Sequence, residues 1–238
     1  MSPPVGTLFL IPVSLGDSAW SNYLPPDAKN LVGKLTHFIV ENAKTSRAEL
    51  KRLEHPLPLR QITIEQLPER IDLHWIDAQL APLLAGTDIG LMSEAGCPGV
   101  ADPGALLVRR AHELAIPVKP LVGPSSILLS LMASGLDGQR FAFHGYLPAR
   151  EPERSKRIVE LERESARQKQ TQLFIETPYR NNVLFQALLT SCKPASRLCI
   201  ASDLTTTTES VITKTIAQWR QAALPDLDRR PSVFLLLA

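Results

Sequence analysis

Short apolar runs recur along the chain, each followed by a stretch whose apolar residues return with helical period, and this alternation most limits the folds open to it. Strands separated by helices imply a largely parallel sheet covered by helices. The run 7–12 reads as the first strand. A loop bearing Pro25 and Pro26, a short helix and a strand over 36–41 come next. A helix over 46–53, a strand over 62–65, a longer helix ending before Gly86 and a strand over 88–93 continue the pattern. Asp102 followed by Pro103 reads as the N-cap and first-turn proline of a helix that puts Leu107, Ala111 and Leu114 on one face, with a strand over 117–121 after it.

A second series opens at Ser125 and Ser126 with a helix through Ile127, Leu128, Leu131 and Met132 to a stop at Gly135. Strands are expected over 141–143, 172–175, 197–202 and 211–213, with a charged helix over 151–167 and a helix capped by Thr177 and Pro178 running to about 189. A short helix containing Trp219 and the run 232–237 close the sheet. The expected architecture is α/β in two lobes, 1–120 and 121–238; 238 residues at 44% hydrophobic are enough for one large core or two medium ones.

The formal charge of +2 creates no global basic field, which leaves nucleic acid neither required nor excluded as a partner. Cys97, Cys192 and Cys199 have no CxxC spacing, so neither a disulfide framework nor a zinc ribbon is expected, and a reducing cytoplasm fits. No metal site is expected. The start at Met1, Ser2, Pro3 and Pro4 has no basic, apolar leader, and no apolar run is long enough for a bilayer, so a soluble intracellular protein is expected with no membrane partner.

The loop 93–104 is rich in glycine, proline and aspartate and directly follows an apolar strand. Glycines there let the main chain take positive φ and approach a ligand closely, so the loop reads as a ligand-cradling turn. The basic residues Arg150, Arg154, Lys156 and Arg157 are interleaved with glutamates and read as a solvated helix face. His144 reads as a packed or solvated imidazole, and Trp20, Trp75 and Trp219 are too dispersed for a base-stacking platform and read as packing residues.

Five segments occur in order: Gly6-Thr7-Leu8-Phe9-Leu10-Ile11-Pro12 with Leu15-Gly16-Asp17; Val40-Glu41-Asn42-Ala43-Lys44; the loop 93–104; Pro120-Leu121-Val122-Gly123-Pro124-Ser125-Ser126; and Phe174-Ile175-Glu176-Thr177-Pro178-Tyr179-Arg180. A weaker sixth is Ala201-Ser202-Asp203-Leu204-Thr205-Thr206 with Glu209. On these segments the chain resembles the tetrapyrrole-methylase superfamily of S-adenosylmethionine-dependent methyltransferases. It is most similar to the branch that methylates a ribose 2′-hydroxyl of small-subunit ribosomal RNA. The resemblance implies a cofactor cleft between two lobes and a homodimer. It assigns S-adenosylmethionine contacts to Leu15, Gly96, Cys97, Pro98, Gly99, Val100, Ser126, Ile127, Ile175, Ala201, Pro231 and Ser232. These residue types suit such a ligand, since glycine-rich turns offer main-chain groups to adenine and carboxylate, and apolar Leu15, Val100 and Ile127 can sandwich a ring.

A methyl group on a sulfonium is already activated, so the protein must align the acceptor and manage one proton. Glu41, Lys44, Glu176, Arg180, Asp203 and Glu209 fall near strand ends, and Glu41 and Glu176 are the leading candidates for the base; caps and surface ion pairs are the other reading of such residues. The thiol of Cys97 is expected to be inert, with the backbone contributing instead.

Two departures bear on the acceptor. Glu41-Asn42-Ala43-Lys44 stands where the RNA-methylating branch has an acidic-Asp-Thr-Arg run, and the resemblance is to a short form without that branch's C-terminal extension. Pro12-Val13-Ser14 replaces the Gly-x-Gly of true tetrapyrrole methylases, which weakens the porphyrinoid reading more than the RNA one. Methyl transfer to a small metabolite, a tetrapyrrole or a protein side chain, and non-catalytic binding of S-adenosylmethionine, are the alternatives. A dinucleotide enzyme is disfavoured because no G-x-G-x-x-G follows the first strand.

Overall fold

The computed structural model describes residues 4–238; the start read from Met1, Ser2 and Pro3 lies outside the described residues. Contacts divide the chain into two compact units, Met1–Ser125 and Ser126–Ala238.

In the first unit the apolar runs form five parallel strands: β1 (Leu8–Ile11), β2 (His37–Val40), β3 (Thr63–Gln66), β4 (Ile89–Met92) and β5 (Val118–Pro120), in the order β3-β2-β4-β1-β5. All four residues of β4 are buried, as expected for an inner parallel strand covered on both faces. Helices α1 (Pro26–Val32) and α2 (Ala43–Arg52) cover one face, where Val32 and Leu50 pack with Phe9, Ile11 and Phe38. Helices α3 (Leu73–Leu84) and α4 (Ala105–Glu113) cover the other, where Leu80, Leu83, Leu107 and Ala111 pack with Leu8, Ile39 and Leu91. Asn42 starts α2 by accepting from the amides of Lys44 (2.9 Å) and Thr45 (3.3 Å).

The start expected for α4 is corrected. Asp102 and Pro103 precede the helix, and Gly104 is the N-cap with φ of 126°, a value reserved to glycine, so the chain bends once more before turning helical.

The second unit contains α5 (Ser126–Ser134), β6 (Phe141–Tyr146), α6 (Glu153–Gln168), β7 (Thr171–Ile175), α7 (Asn181–Ser191), β8 (Arg197–Ser202), β9 (Ser210–Thr215), α8 (Ile216–Gln221) and β10 (Ser232–Leu237). Its order is β6-β7-β10-β8-β9, and only β6 and β7 run parallel. The largely parallel sheet expected from the alternation therefore holds in the first unit and fails in the second. The short connection 203–209 between β8 and β9 contains no crossover helix, and an antiparallel pair is what such a connection allows. The last strand also lies at the centre of this sheet rather than at an edge.

Every residue of β10 is buried. Phe234 and Leu236 pack on one face with Ile158 and Leu161 of α6, Leu184 and Leu188 of α7 and Trp219 of α8. Val233 and Leu235 pack on the opposite face with Ile127 and Leu131 of α5. Leu128 and Met132 of α5 are exposed.

Two further expectations change. Pro178–Arg180 is a separate 3-10 turn after Thr177, and α7 begins only at Asn181. Arg154 is buried rather than solvated: it donates to Glu151 Oε1 at 2.8 and 2.9 Å and to the Ala149 carbonyl at 3.2 Å, tying α6 to the segment before it.

Candidate active site

In the first unit the chain leaves β2 toward β3 on one side and leaves β4 toward β5 on the other, so β2 and β4 flank the point where the sheet's direction of travel reverses. Beyond the carboxyl ends of such a strand pair, open α/β sheets leave a crevice. Glu41 follows β2 directly, and its amide donates to the Met92 carbonyl at 3.0 Å. Its Oε2 accepts from the Glu94 amide at 2.9 Å, which joins the end of β2 to the loop that follows β4.

Farther along that loop lies Asp102. Burial, then the negative charge of Glu41, push its carboxyl up to about 6; Glu94 adds to the effect and the Ser93 hydroxyl opposes it. Sequence reading assigned Asp102 to a helix cap and missed this. The only signal was an aspartate closing a glycine-rich turn after a strand, while the groups that perturb it come from another part of the sequence.

The intervening turn is shaped by its glycines. Gly96 (φ 74°) exchanges two hydrogen bonds with Val13, which follows β1, at 2.8 and 3.0 Å. Gly99 (φ 78°) is exposed, with no atom within 4 Å of where a Cβ would stand. The Cβ position of Gly96 lies 3.4 Å from Cδ2 of Leu15. Leu15 is partly buried, Pro98 buried and Val100 49% exposed. The Cys97 thiol donates to the Pro124 carbonyl at 3.3 Å, and burial, then Asp102, raise its pKa, so it stays a protonated thiol. The Gly99 amide donates to the Pro103 carbonyl at 3.3 Å, and the free space beside its Cα together with the exposed apolar side chain of Val100 fits the adenosyl group expected there.

In the second unit, strand register gathers the expected contact residues at one end of the sheet. Ile175 and Ala201 both pair with Val233, and Ser202 pairs with Ser232. The Ser202 and Ser232 hydroxyls are 2.7 Å apart, and the Asp203 amide donates to the Pro231 carbonyl at 2.9 Å. Arg230 clamps the same end by donating to Asp203 Oδ2 at 2.7 Å and to the Thr208 carbonyl at 2.7 Å. Ser126 begins α5, and Ile127 is buried among Leu173, Cys199 and Val233.

Glu176 is heavily engaged. Its Oε1 accepts from the Thr177 amide (2.7 Å), the Thr177 hydroxyl (3.2 Å) and Arg180 Nε (3.1 Å) and Nη2 (2.7 Å), and its side chain is 1% exposed. These bonds hold the 3-10 turn against the end of β7. His144 bonds Gln172 at 2.6 Å with Arg157 at 3.4 Å from its other ring nitrogen, a packed imidazole. Among the described residues no cluster of His, Cys, Asp and Glu is disposed to hold a metal ion, and no helix is long and apolar enough to cross a membrane.

The fold is that of known methyltransferases. The methyltransferase CobJ superposes with a TM-score of 0.63 at 16% identity, covering 98% of this chain and 93% of that one. Uroporphyrin-III-C-methyltransferase from Thermus thermophilus gives 0.55 at 16% identity, covering 98% and 94%. No family model matches the sequence.

Curated relatives narrow the class. Ribosomal RNA small subunit methyltransferase I of Xylella fastidiosa is 31% identical over 240 aligned residues, spanning 100% of this chain and 82% of its own length. The Vibrio cholerae protein of that name is 32% identical over 155 residues, 65% of this chain and 52% of its own length. The chain belongs to the ribosomal RNA small subunit methyltransferase I family, within the tetrapyrrole methylases, and is an S-adenosylmethionine-dependent methyltransferase.

Proposed function

We propose that this chain methylates a ribose 2′-hydroxyl of small-subunit ribosomal RNA, with Asp102 taking the proton that the hydroxyl loses. The observation that carries the reading is the turn 96–104, with free space beside the Cα of Gly99 and a carboxylate of raised pKa at Asp102, in a chain matched along its whole length by a small-subunit RNA methyltransferase.

When bound, S-adenosylmethionine supplies a methyl group already activated by positive sulfur. Gly96, Cys97, Pro98, Gly99, Val100 and Leu15 are the contacts proposed for it in the first unit; Ser126, Ile127, Ile175, Ala201, Pro231 and Ser232 are those proposed in the second. A ribose hydroxyl is a poor nucleophile until its proton has somewhere to go. Asp102 is ionised above about pH 6 and is a stronger base than an ordinary aspartate because burial and Glu41 disfavour its charge. Glu41 acts in this scheme through Asp102 and through its bond to the Glu94 amide. Glu176, committed to Arg180 and Thr177, orders the turn after β7.

The RNA acceptor is supported by the names of the relatives, and the 2′-oxygen by the resemblance in the sequence. Action as a homodimer on the small ribosomal subunit, in the cytoplasm, completes the proposal. The test is labelling of small subunits from cells lacking this protein, with methyl-labelled donor. Label is expected in one 2′-O-methylated nucleoside of the subunit RNA and is expected to vanish with Asp102→Asn. Unlabelled RNA would retire the ribose assignment.

A further inference from the structure

Behind the β1 loop lies a buried polar network that the reaction scheme above does not use. Glu49, on α2, is 3% exposed and collects four donors. Its Oε1 accepts from the Tyr23 hydroxyl at 2.5 Å and the Ser14 amide at 3.3 Å. Its Oε2 accepts from Arg52 Nη1 at 2.9 Å and the Ser14 hydroxyl at 3.2 Å. Arg52 also donates to the Ser14 hydroxyl at 2.5 Å and to Asp17 at 3.3 Å.

We infer that Glu49, with Tyr23 and Arg52, is a positioning group for the methyl donor, acting through Ser14 and Leu15; the inference rests on the reading that Leu15 and Gly96 contact that donor. Ser14 is tied to α2 through both its amide and its hydroxyl. Its neighbour Val13 is tied to Gly96 through both main-chain groups. Leu15 thus leaves a segment held from both sides, and its side chain lies against Gly96. Beyond the main-chain bridge at Val13 the segment 14–17 has no regular secondary structure, so the side-chain bonds to Ser14 set its course.

Stability alone is a weak reason for such a network, because a buried ion pair generally returns no more than apolar residues of the same volume would. What a carboxylate with filled oxygens adds is one fixed geometry for the groups that donate to it. Tyr23 serves as a permanent donor: burial first, then Glu49, hold its phenol well above the usual value, so it stays protonated at working pH.

Titration calorimetry of the full chain with S-adenosylhomocysteine tests this. Glu49→Gln is expected to weaken binding about tenfold and Tyr23→Phe about threefold, the losses expected for unmade charged and neutral hydrogen bonds. The KM for the donor is expected to rise in parallel, with kcat at saturating donor and the KM for small subunits unchanged. A folded Glu49→Gln protein that binds S-adenosylhomocysteine as the wild type does would overturn the inference. So would a lowered melting temperature with unaltered affinity per folded molecule, the result of a merely structural role. Should Glu49→Gln fail to fold, Tyr23→Phe carries the same two outcomes. Wild-type protein that binds no S-adenosylhomocysteine overturns the donor reading itself, and the inference with it. Tight wild-type binding with unaffected variants sinks the network alone.

Discussion

At the scale of single residues, Asp102 carries the sharpest consequences. Its carboxyl binds a proton more tightly in the folded protein than in the unfolded chain, so stability is lost as pH rises from the ordinary aspartate value through about 6 and the cost persists above that. Asp102→Asn is therefore expected to raise the melting temperature at pH 8 and to leave it nearly unchanged at pH 4, which paired thermal melts will read. The same substitution is expected to cut turnover by ~10²–10⁴-fold, the range for loss of a general base. Wild-type kcat/KM is expected to rise with pH through about 6 and then level; a profile without that limb would dismiss Asp102 as the base. Gly104 belongs to the same scale. A side chain there would adopt an unfavourable φ of 126° and its Cβ would lie 3.0 Å from Leu91 Cδ2, so Gly104→Ala is expected to cost ~1–3 kcal/mol in denaturant titrations. The glycines of this turn were legible in the sequence because backbone permissiveness belongs to the residue itself. The state of Asp102 was not, because Glu41, which disfavours its charge, arrives from the end of another strand.

At the scale of elements, apolar runs were legible and their directions were not. The stretch 197–202 was read with the bounds of β8, and 232–237 with those of β10. A strand buried on both faces has the same composition whether its neighbours run parallel or antiparallel, so nothing local marked β10 as the centre of a mostly antiparallel sheet. That central position raises the stakes at Phe234, which stacks on Phe174 with ring centroids 6.1 Å apart and is fully buried. Phe234→Ala is expected to destabilise the protein by ~3–5 kcal/mol, measured by the denaturant midpoint at unchanged slope. Helix starts were read less well: the helix expected over 46–53 begins at Ala43, one turn earlier, because the Asn42 side chain caps it. They were misread at Asp102, where a residue of capping type serves a different set of neighbours, and at Thr177, where Glu176 captures the hydroxyl and a 3-10 turn intervenes.

At the scale of the whole molecule, each unit buries apolar side chains on both faces of its own sheet. A ligand that binds only the folded chain adds to its stability by mass action. S-adenosylhomocysteine at a hundred times its Kd is therefore expected to contribute about 2.7 kcal/mol, read as a concentration-dependent rise in melting temperature. The sequence by itself determined the order of strands and helices, which turn must be glycine, and the family resemblance, because periodicity, backbone permissiveness and motif order are local properties. Tertiary structure alone decided that Glu41 and Glu94 flank Asp102, that Glu49 grips Ser14, that Arg230 clamps Asp203 and that the last strand runs through the middle of its sheet. Those relations depend on which distant segments a sheet brings side by side, because a hydrogen bond needs contact at about 3 Å and one charge perturbs another strongly only when folding brings the two near.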